Sequence, residues 1–326
     1  MKLIIAFLVA FLLGCVLAPL IIFVIKKVGA RQNILHYVSM HQSKQGTPTM
    51  GGLIFLLPIV VVFLVLFKDQ SHLAFVALGT MLSFGLLGFL DDFIKVHTHK
   101  NLGLRAYQKI IGQVGISIIV AIFTFYYVGG TLDFAGLEVN LSWGIIPFTI
   151  LVLLAMSNAA NLTDGLDGLA GWTSFVMFIG LATILGFSIQ NSELSGVGLD
   201  EIAELKNLQL LSVCCAGGLL AFLCFNSYPA SIFMGDTGSL ALGGAIASIA
   251  IFSHKALLLP IISLVFVVSV VSVIIQVIHF KRTHKRIFLM APLHHHFEKK
   301  GVNESKIVVI YIVVTIISCL VAILLC

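Results

Sequence analysis

Long apolar stretches recur from one end of the chain to the other, and short polar segments separate them. An α-helix rises 1.5 Å per residue, so about 20 apolar residues cross the roughly 30 Å hydrocarbon core of a bilayer. The pattern therefore predicts an all-α polytopic integral membrane protein with about ten transmembrane helices. The ten predicted spans are Leu3–Ile25, Gly51–Phe67, Leu73–Leu90, Ile110–Val128, Trp143–Met156, Trp172–Ile189, Leu208–Phe225, Ser239–Phe252, Leu257–Ile278 and Ile307–Leu325.

The composition agrees with this pattern and excludes a water-soluble fold. Hydrophobic residues make up 59% of the 326 positions and charged residues only 10%, whereas a soluble domain carries about 25% charged residues. The apolar surface is therefore expected to face lipid. We predict one transmembrane domain, residues 1–326.

The basic residues predict which ends of the helices face the cytoplasm. Fifteen of the nineteen Lys and Arg residues lie in the first, third and ninth connections between spans, and such loops are cytoplasmic by the positive-inside rule. Both termini are then extracytoplasmic. The cytoplasmic connections are residues 26–50, 91–109, 157–171, 226–238 and 279–306, and every polar motif described below lies in one of them.

The sequence "GFLDDFIK" places Asp91 and Asp92 at the end of the third span. Two adjacent carboxylates on a helix point about 100° apart, so they can flank a Mg²⁺ ion or divide into a metal ligand and a general base. The alternative is an ordinary solvated helix end. Lys95 and the basic residues after it favour a site that binds phosphate.

Asn158, Asn161, Asp164 and Asp167 recur at every third position in "SNAANLTDGLDGLAG". A helix would place the four side chains on one polar stripe, whereas a loop would use its glycines to approach a ligand closely. A plain turn between helices is the alternative. Two amides and two acids at membrane depth favour a functional role.

The sequence "NSYPASIFMGDTGS" carries Asn226, Phe233 and Asp236 just before the eighth span. We expect Asp236 at a helix N-terminus, where the helix dipole attracts phosphate and where a simple N-cap role is also compatible. Phe233 either packs in the core or stacks on a base.

Two further segments complete the polar motifs. "KQGTPTMGG" contains Lys44 and Thr49, and its glycines and hydroxyls allow close contact with an anion, although it is not a Walker A loop. "PLHHHFE" follows a basic stretch, Lys281–Met290, that suits the headgroup level of anionic lipid. Its consecutive histidines, His294, His295 and His296, lack the spacing of a zinc site, so acid/base work or hydrogen bonding to a pyrophosphate is expected.

The motifs "GTPTMGG", "GFLDDFIK", "NLTDGLDGLA", "FMGDTGS" and "PLHHHFE" occur in one order across the whole chain. Together they resemble the phospho-N-acetylmuramoyl-pentapeptide transferase family, within the polyprenyl-phosphate N-acetylhexosamine-1-phosphate transferase superfamily. The resemblance implies a catalytic domain in the bacterial cytoplasmic membrane with its active site facing the cytoplasm. It implies transfer of phospho-MurNAc-pentapeptide from UDP-MurNAc-pentapeptide to undecaprenyl phosphate, which yields lipid I and UMP for peptidoglycan synthesis and requires Mg²⁺.

The resemblance also implies roles for individual residues. Asp236 matches the metal ligand, and Asp91 and Asp92 match a catalytic pair, one of which deprotonates the lipid phosphate. His294 is the member of the triplet that we expect to be catalytic. Positions expected to bind nucleotide or phosphate are Lys44, Thr49, Lys95, Asn158, Asn161, Asp164, Asp167, Asn226, Phe233, His295 and His296. The chain departs from many relatives at His97 and His99, where lysine or arginine is more usual.

Two other functions compete with this interpretation. A GlcNAc-1-phosphate transferase of the same superfamily would share the acidic motifs, and residue chemistry alone does not decide the sugar. A secondary transporter would also place Asp and Asn within the membrane, but the one-sided polar groups and the lack of an internal repeat disfavour it. Membrane lipid is an expected partner and nucleic acid is not. A homodimer is compatible with the sequence.

Overall fold

The computed structural model describes residues 1–29, 46–67, 72–98, 103–196 and 198–326. Most of these residues are helical, as the apolar pattern predicts. The helices are α1 (Lys2–Val28), α2 (Leu53–Leu66), α3 (His72–Thr98), α4 (Ala106–Phe123), α5 (Ile145–Thr163), α6 (Leu169–Leu194), α7 (Leu199–Asn226), α8 (Gly235–Phe252), α9 (Leu259–Ile262), α10 (Leu264–Thr283), α11 (Leu293–Lys299) and α12 (Glu304–Leu324).

Within the described ranges, nine helices are long and apolar enough to cross a membrane. This confirms a polytopic membrane protein. The remaining predicted span, Gly51–Phe67, corresponds to α2, whose 14 residues extend only about 21 Å at 1.5 Å per residue. Ten spans therefore remain a prediction, as does the extracytoplasmic position of the termini.

The predicted ninth span is broken into two pieces. A 3₁₀ turn at Ala256–Leu258 leads into the four-residue α9, which has a proline in its first turn. The hydroxyl of Ser263 donates a hydrogen bond to the carbonyl of Leu259 at 2.6 Å. The long helix α10 therefore begins only at Leu264 and continues into the basic segment that follows.

The expectation of an all-α chain is wrong in one connection. Strands β1 (Thr131–Phe134) and β2 (Leu137–Asn140) form an antiparallel hairpin in which Thr131 pairs with Asn140 and Phe134 with Leu137. Its turn uses Ala135 and Gly136, both with positive φ, as tight hairpin turns require. The sequence pattern does not predict this hairpin, because each strand is only four residues long.

Helix α8 lies at the centre of the bundle and all sixteen residues from Thr237 to Phe252 are buried. The helix consists largely of glycine, alanine and serine, whose small side chains let the neighbouring helices pack close to its backbone. Helix α1, by contrast, buries only a stripe of mostly small residues, from Ala6 to Ile25. Its remaining apolar surface is exposed to the surroundings, as expected for a helix that faces lipid.

The hairpin and the end of α8 meet at one end of the bundle. Lys255 forms an ion pair with Asp133, and the backbone N–H of Asp133 donates to the carbonyl of His254 at 2.8 Å. The polar motifs gather at the opposite end, around the start of α8.

Candidate active site

Three carboxylates from two helices meet at the start of α8. Asp91 and Asp92 lie on α3, Asp236 lies on α8, and one carboxylate oxygen of each lies within 4.8 Å of the other two. Asp91 and Asp92 are buried, with relative exposures of 3% and 2%. The structure thus brings together residues that are 144 positions apart in the chain, as the sequence motifs predicted.

The helices that carry the carboxylates extend further than expected. Helix α3 continues past Asp91 and Asp92 to Thr98, so the pair does not end the helix. Helix α8 starts at Gly235, and Asp236 therefore lies in its first turn, with Met234 at the N-cap. The N-cap interpretation of Asp236 is wrong, and its carboxylate is available for the cluster.

Close backbone contact holds α3 against the start of α8. A Cβ on Gly88 would lie 2.1 Å from the carbonyl oxygen of Asp236, so only glycine fits there. Asp92 secures the same junction, because its Oδ2 accepts hydrogen bonds from the backbone N–H of Thr237 at 2.9 Å and from its hydroxyl at 2.7 Å. The carboxylate of Asp92 thus occupies the positive end of the α8 dipole.

Two lysines neutralise part of the negative charge. The ammonium group of Lys95 lies 2.5 Å from Asp91 Oδ2, 3.6 Å from Asp92 Oδ1 and 3.2 Å from Asp236 Oδ2. Lys109, from the first turns of α4, lies 2.8 Å from Asp236 Oδ2. Three carboxylates and two ammonium groups leave one negative charge uncompensated. In the sequence, nothing distinguishes Lys109 from the other basic residues of its loop.

The amide of Asn161 completes the surroundings of Asp236. Its Nδ2 donates to Asp236 Oδ1 at 2.8 Å and to the hydroxyl of Ser239 at 2.9 Å. Asn158, one turn earlier on α5, instead donates to Gln113 Oε1 at 2.9 Å. The four residues predicted to form one polar stripe therefore lie in two elements. Asn158 and Asn161 lie on α5, whereas Asp164 and Asp167 lie in the turn that follows it.

That turn, residues 164–168, is tied to three other parts of the chain. The Asp167 carboxylate accepts a hydrogen bond from Ala230 N at 3.0 Å, and the Asp167 N–H donates to Glu304 Oε1 at 2.7 Å. The N–H of Gly168 donates to Asn226 Oδ1 at 3.1 Å. Asp167 and Asn226 thus stabilise the turn.

Asp164 faces the same acidic cluster from this turn. Burial raises the pKa of Asp164 to about 8, and the negative charges of Asp236, Asp92 and Asp167 add to the shift. This shift favours the protonated form of Asp164, whose carboxyl group can donate a hydrogen bond.

The three histidines all lie on α11, next to the 164–168 turn. His294 is fully buried, and neither ring nitrogen has a hydrogen-bond partner within the described residues. Burial lowers the pKa of His294 to about 3, with a further contribution from His295, so its ring is neutral. His295 pairs with Glu298 at 2.9 Å, and His296 Nδ1 accepts a hydrogen bond from Leu289 N at 3.1 Å.

The segment before α2 packs against the segment before α8. Gly51 N donates to the carbonyl of Phe233 at 2.8 Å, and Phe233 N donates to the carbonyl of Pro48 at the same distance. Thr49 is buried at this contact, whereas the Phe233 ring is partly exposed. Lys44 and His99 lie outside the described residues. His97 stacks on Phe93 at the end of α3.

Sequence comparisons with known proteins match most of the chain. The profile of glycosyl transferase family 4 matches residues 74–254, and the phospho-N-acetylmuramoyl-pentapeptide-transferase signature 1 matches residues 44–56. The phospho-N-acetylmuramoyl-pentapeptide-transferase of Desulfitobacterium hafniense is 42% identical over 93% of this chain and 91% of the relative. That of Clostridium perfringens is 40% identical over 98% of each chain, and that of Bacillus pumilus is 42% identical over 92% and 90%. The chain belongs to this family.

Membership in the phospho-N-acetylmuramoyl-pentapeptide-transferase family confirms the resemblance inferred from the motifs. The acidic cluster, both lysines and the 164–168 turn lie within the match to glycosyl transferase family 4. The histidine triplet and Glu304 lie beyond it. Glu304 was not predicted as a site residue because it belongs to no recognisable motif, and Lys109 was predicted only as one of the basic residues that follow Lys95.

The acidic cluster suits Mg²⁺ in its donor atoms and its spacing. Mg²⁺ binds oxygen ligands at about 2.1 Å, so two opposite ligands are about 4.2 Å apart. Carboxylate oxygens within 4.8 Å of one another reach that spacing with a small movement. The uncompensated negative charge also favours a cation. Asp91, Asp92 and Asp236 thus fit the ion that the family resemblance implies.

Proposed function

We propose that this chain transfers phospho-MurNAc-pentapeptide from UDP-MurNAc-pentapeptide to undecaprenyl phosphate and releases lipid I and UMP. The supporting observation is the convergence of Asp91, Asp92 and Asp236 with two lysines at one end of a membrane bundle. In the transfer, an oxygen of the lipid phosphate bonds to the phosphorus attached to the sugar. The bond from that phosphorus to UMP breaks, and UMP leaves with the electron pair.

This reaction brings several negative charges together, and each close pair of like charges is strongly repulsive. We propose that Lys95 and Lys109 bind the phosphate groups, since their ammonium groups already lie at the acidic cluster. Asp236, with Asp91 and Asp92 beside it, would hold Mg²⁺. The ion would supply positive charge that stabilises the pyrophosphate oxygens as the bond to UMP breaks.

The two adjacent carboxylates would have different tasks. Asp92 is held by two hydrogen bonds from Thr237, which suits a fixed anion. Asp91 accepts a hydrogen bond from Leu104 N through Oδ1, and its Oδ2 faces Lys95. We propose Asp91 as the group that takes the proton from the lipid phosphate, because an ammonium group beside it can hold that phosphate within reach.

The 164–168 turn and the aromatic ring of Phe233 would bind the nucleotide. The raised pKa of Asp164, about 8, favours its protonated form, which would donate a hydrogen bond without repelling a phosphate. His294 is buried beneath the turn, so a direct catalytic role would require the turn to move. His295 and His296 lie closer to the surface.

The lipid acceptor would approach Asp91 from the bilayer. Leu86, Leu90 and Phe93 are exposed on the same helix, and such a surface accepts a polyprenyl chain while the phosphate stays at the interface. We place this end of the bundle at the cytoplasmic face of the bacterial inner membrane, in agreement with the basic loops.

The test is UMP release by the purified protein in detergent with undecaprenyl phosphate, Mg²⁺ and either UDP-MurNAc-pentapeptide or UDP-GlcNAc. We expect turnover with the first nucleotide sugar only, and loss of turnover after removal of Mg²⁺ by chelation. Asp236→Asn should abolish turnover and weaken Mn²⁺ binding. Asp200→Asn, an exposed acid on α7, is the matched control and should retain both. Preference for UDP-GlcNAc, or normal turnover by Asp236→Asn, would contradict the proposal.

A further inference from the structure

Glu304 connects the last transmembrane helix to the 164–168 turn. It lies in the first turn of α12, after the N-cap residue Asn303. Its Oε1 accepts the hydrogen bond from Asp167 N at 2.7 Å, a short distance typical of a charged acceptor. The contact joins residues 137 positions apart, so it positions the turn through tertiary structure.

The donor in this contact is buried. Asp167 is only 4% exposed, and a buried N–H that loses its acceptor is costly because water cannot replace the bond. The carboxylate of the same residue is held by Ala230 N, which lies in the segment that leads to Asp236. Glu304 therefore binds the backbone of Asp167, and the side chain of Asp167 binds Ala230 in the segment that leads to Asp236.

Glu304 is unsuited to bind the substrate directly. A carboxylate repels a nucleotide diphosphate, and the Oε1 atom is already engaged by Asp167 N. Its effect on the reaction would have to pass through the turn. Glu304 also lies outside the match to glycosyl transferase family 4, so this support comes from a part of the chain separate from the matched region.

We propose that Glu304 is a positioning residue that holds the Asp164–Gly168 turn in the conformation that binds the nucleotide sugar. The inference rests on the proposed function for its kinetic consequence. The hydrogen bond itself is independent of that function.

The test compares Glu304→Ala with Glu304→Gln, which keeps an oxygen acceptor but removes the charge. We expect Glu304→Ala to raise KM for UDP-MurNAc-pentapeptide about tenfold, the factor for one lost buried hydrogen bond, with kcat within about twofold. Glu304→Gln should restore KM to near the wild-type value. If Glu304→Ala does not accumulate, Glu304→Asp withdraws the acceptor by one methylene group and should raise KM in the same way.

The matched control is Glu204→Ala at the opposite end of the bundle. Glu204 also accepts backbone hydrogen bonds, from His72 N at 2.9 Å and Leu73 N at 3.1 Å. This change should leave KM unaffected even if it lowers the melting temperature. A normal KM in Glu304→Ala, or a Gln variant as impaired as the Ala variant, would overturn the proposal.

Hydrogen exchange measured by mass spectrometry separates this inference from the proposed function. We expect peptides that contain residues 164–168 to exchange faster in Glu304→Ala and at the wild-type rate in Glu304→Gln, without any substrate. If the wild-type protein fails to release UMP but the exchange pattern holds, the proposed function fails and the positioning contact stands. Unchanged exchange in Glu304→Ala removes the contact as the support of the turn.

Discussion

Replacement of Gly88 by alanine should move Asp91 and Asp92, on α3, away from Asp236, on α8. The added Cβ would lie 2.1 Å from the carbonyl oxygen of Asp236 and 2.7 Å from Thr237 N. Carbon and carbonyl oxygen normally approach no closer than about 3.3 Å, so α3 or α8 has to move by about 1 Å. Both contacted atoms belong to the backbone, and a change of side-chain rotamer cannot relieve the clash.

A movement of this size should have a large effect on the reaction. A displacement of about 1 Å in a catalytic arrangement can cost about 100-fold in rate, or about 2.7 kcal/mol in the activation free energy. We therefore expect Gly88→Ala to lower kcat/KM for UMP release by about 100-fold. Mn²⁺ binding, measured by electron paramagnetic resonance, should weaken in parallel because the ligands come from both helices.

Gly79→Ala on the same helix is the control. A Cβ at Gly79 would meet no atom within 4 Å, and alanine favours a helix over glycine by up to about 1 kcal/mol. This variant should be as active as the wild type and at least as stable. If Gly88→Ala keeps more than half of the wild-type activity and binds Mn²⁺ normally, the contact between α3 and α8 does not determine the geometry of the cluster.

Three further predictions concern Lys109, His294 and Asp133. Lys109→Met should lower kcat/KM for UMP release about 100-fold, the usual effect of losing one preorganised charge. The control, Lys206→Met, removes an exposed ion pair with Glu193 and should leave kcat/KM unchanged. Equal effects of the two variants would contradict the proposed role of Lys109. Because burial lowers the pKa of His294 to about 3, its stabilising contribution is complete above about pH 6.5 and should fall by about 1.4 kcal/mol at pH 5.5. The melting temperature of His294→Phe should therefore fall less between pH 7.5 and pH 5.5 than that of the wild type. An identical fall would refute a neutral, buried His294. Asp133→Ala leaves the buried Lys255 without its ion-pair partner and should lower the melting temperature by several degrees with kcat unchanged; a fall in kcat at full stability would contradict a purely structural role.

The sequence predicts the convergence of the carboxylates because charge and hydropathy place all the polar motifs at one end of the helices. It does not predict the length of the helices at that end. Helix α8 starts at Gly235, one residue before Asp236, and Gly235 has φ +74°. This backbone conformation is a property of the local packing against Asp92, which the pattern of residues does not contain.

The roles of Lys109 and Glu304 depend on tertiary contacts that the sequence does not show. Lys109 is one of several basic residues in its connection, and only the tertiary contact with Asp236 distinguishes it. Glu304 resembles any acid in the first turn of a helix until the 164–168 turn is placed next to it. The hairpin was not predicted for a different reason, because each of its strands has only four residues.

The division of the carboxylates between α3 and α8 also bears on biogenesis. During translation Asp91 and Asp92 enter the membrane long before Asp236 is synthesised, yet Lys95 arrives with them on the next turn of the same helix. The early half of the cluster thus carries its own counter-ion through insertion. On the proposed function, activity requires Asp236 on the central helix α8, so a chain truncated before α8 should show no turnover.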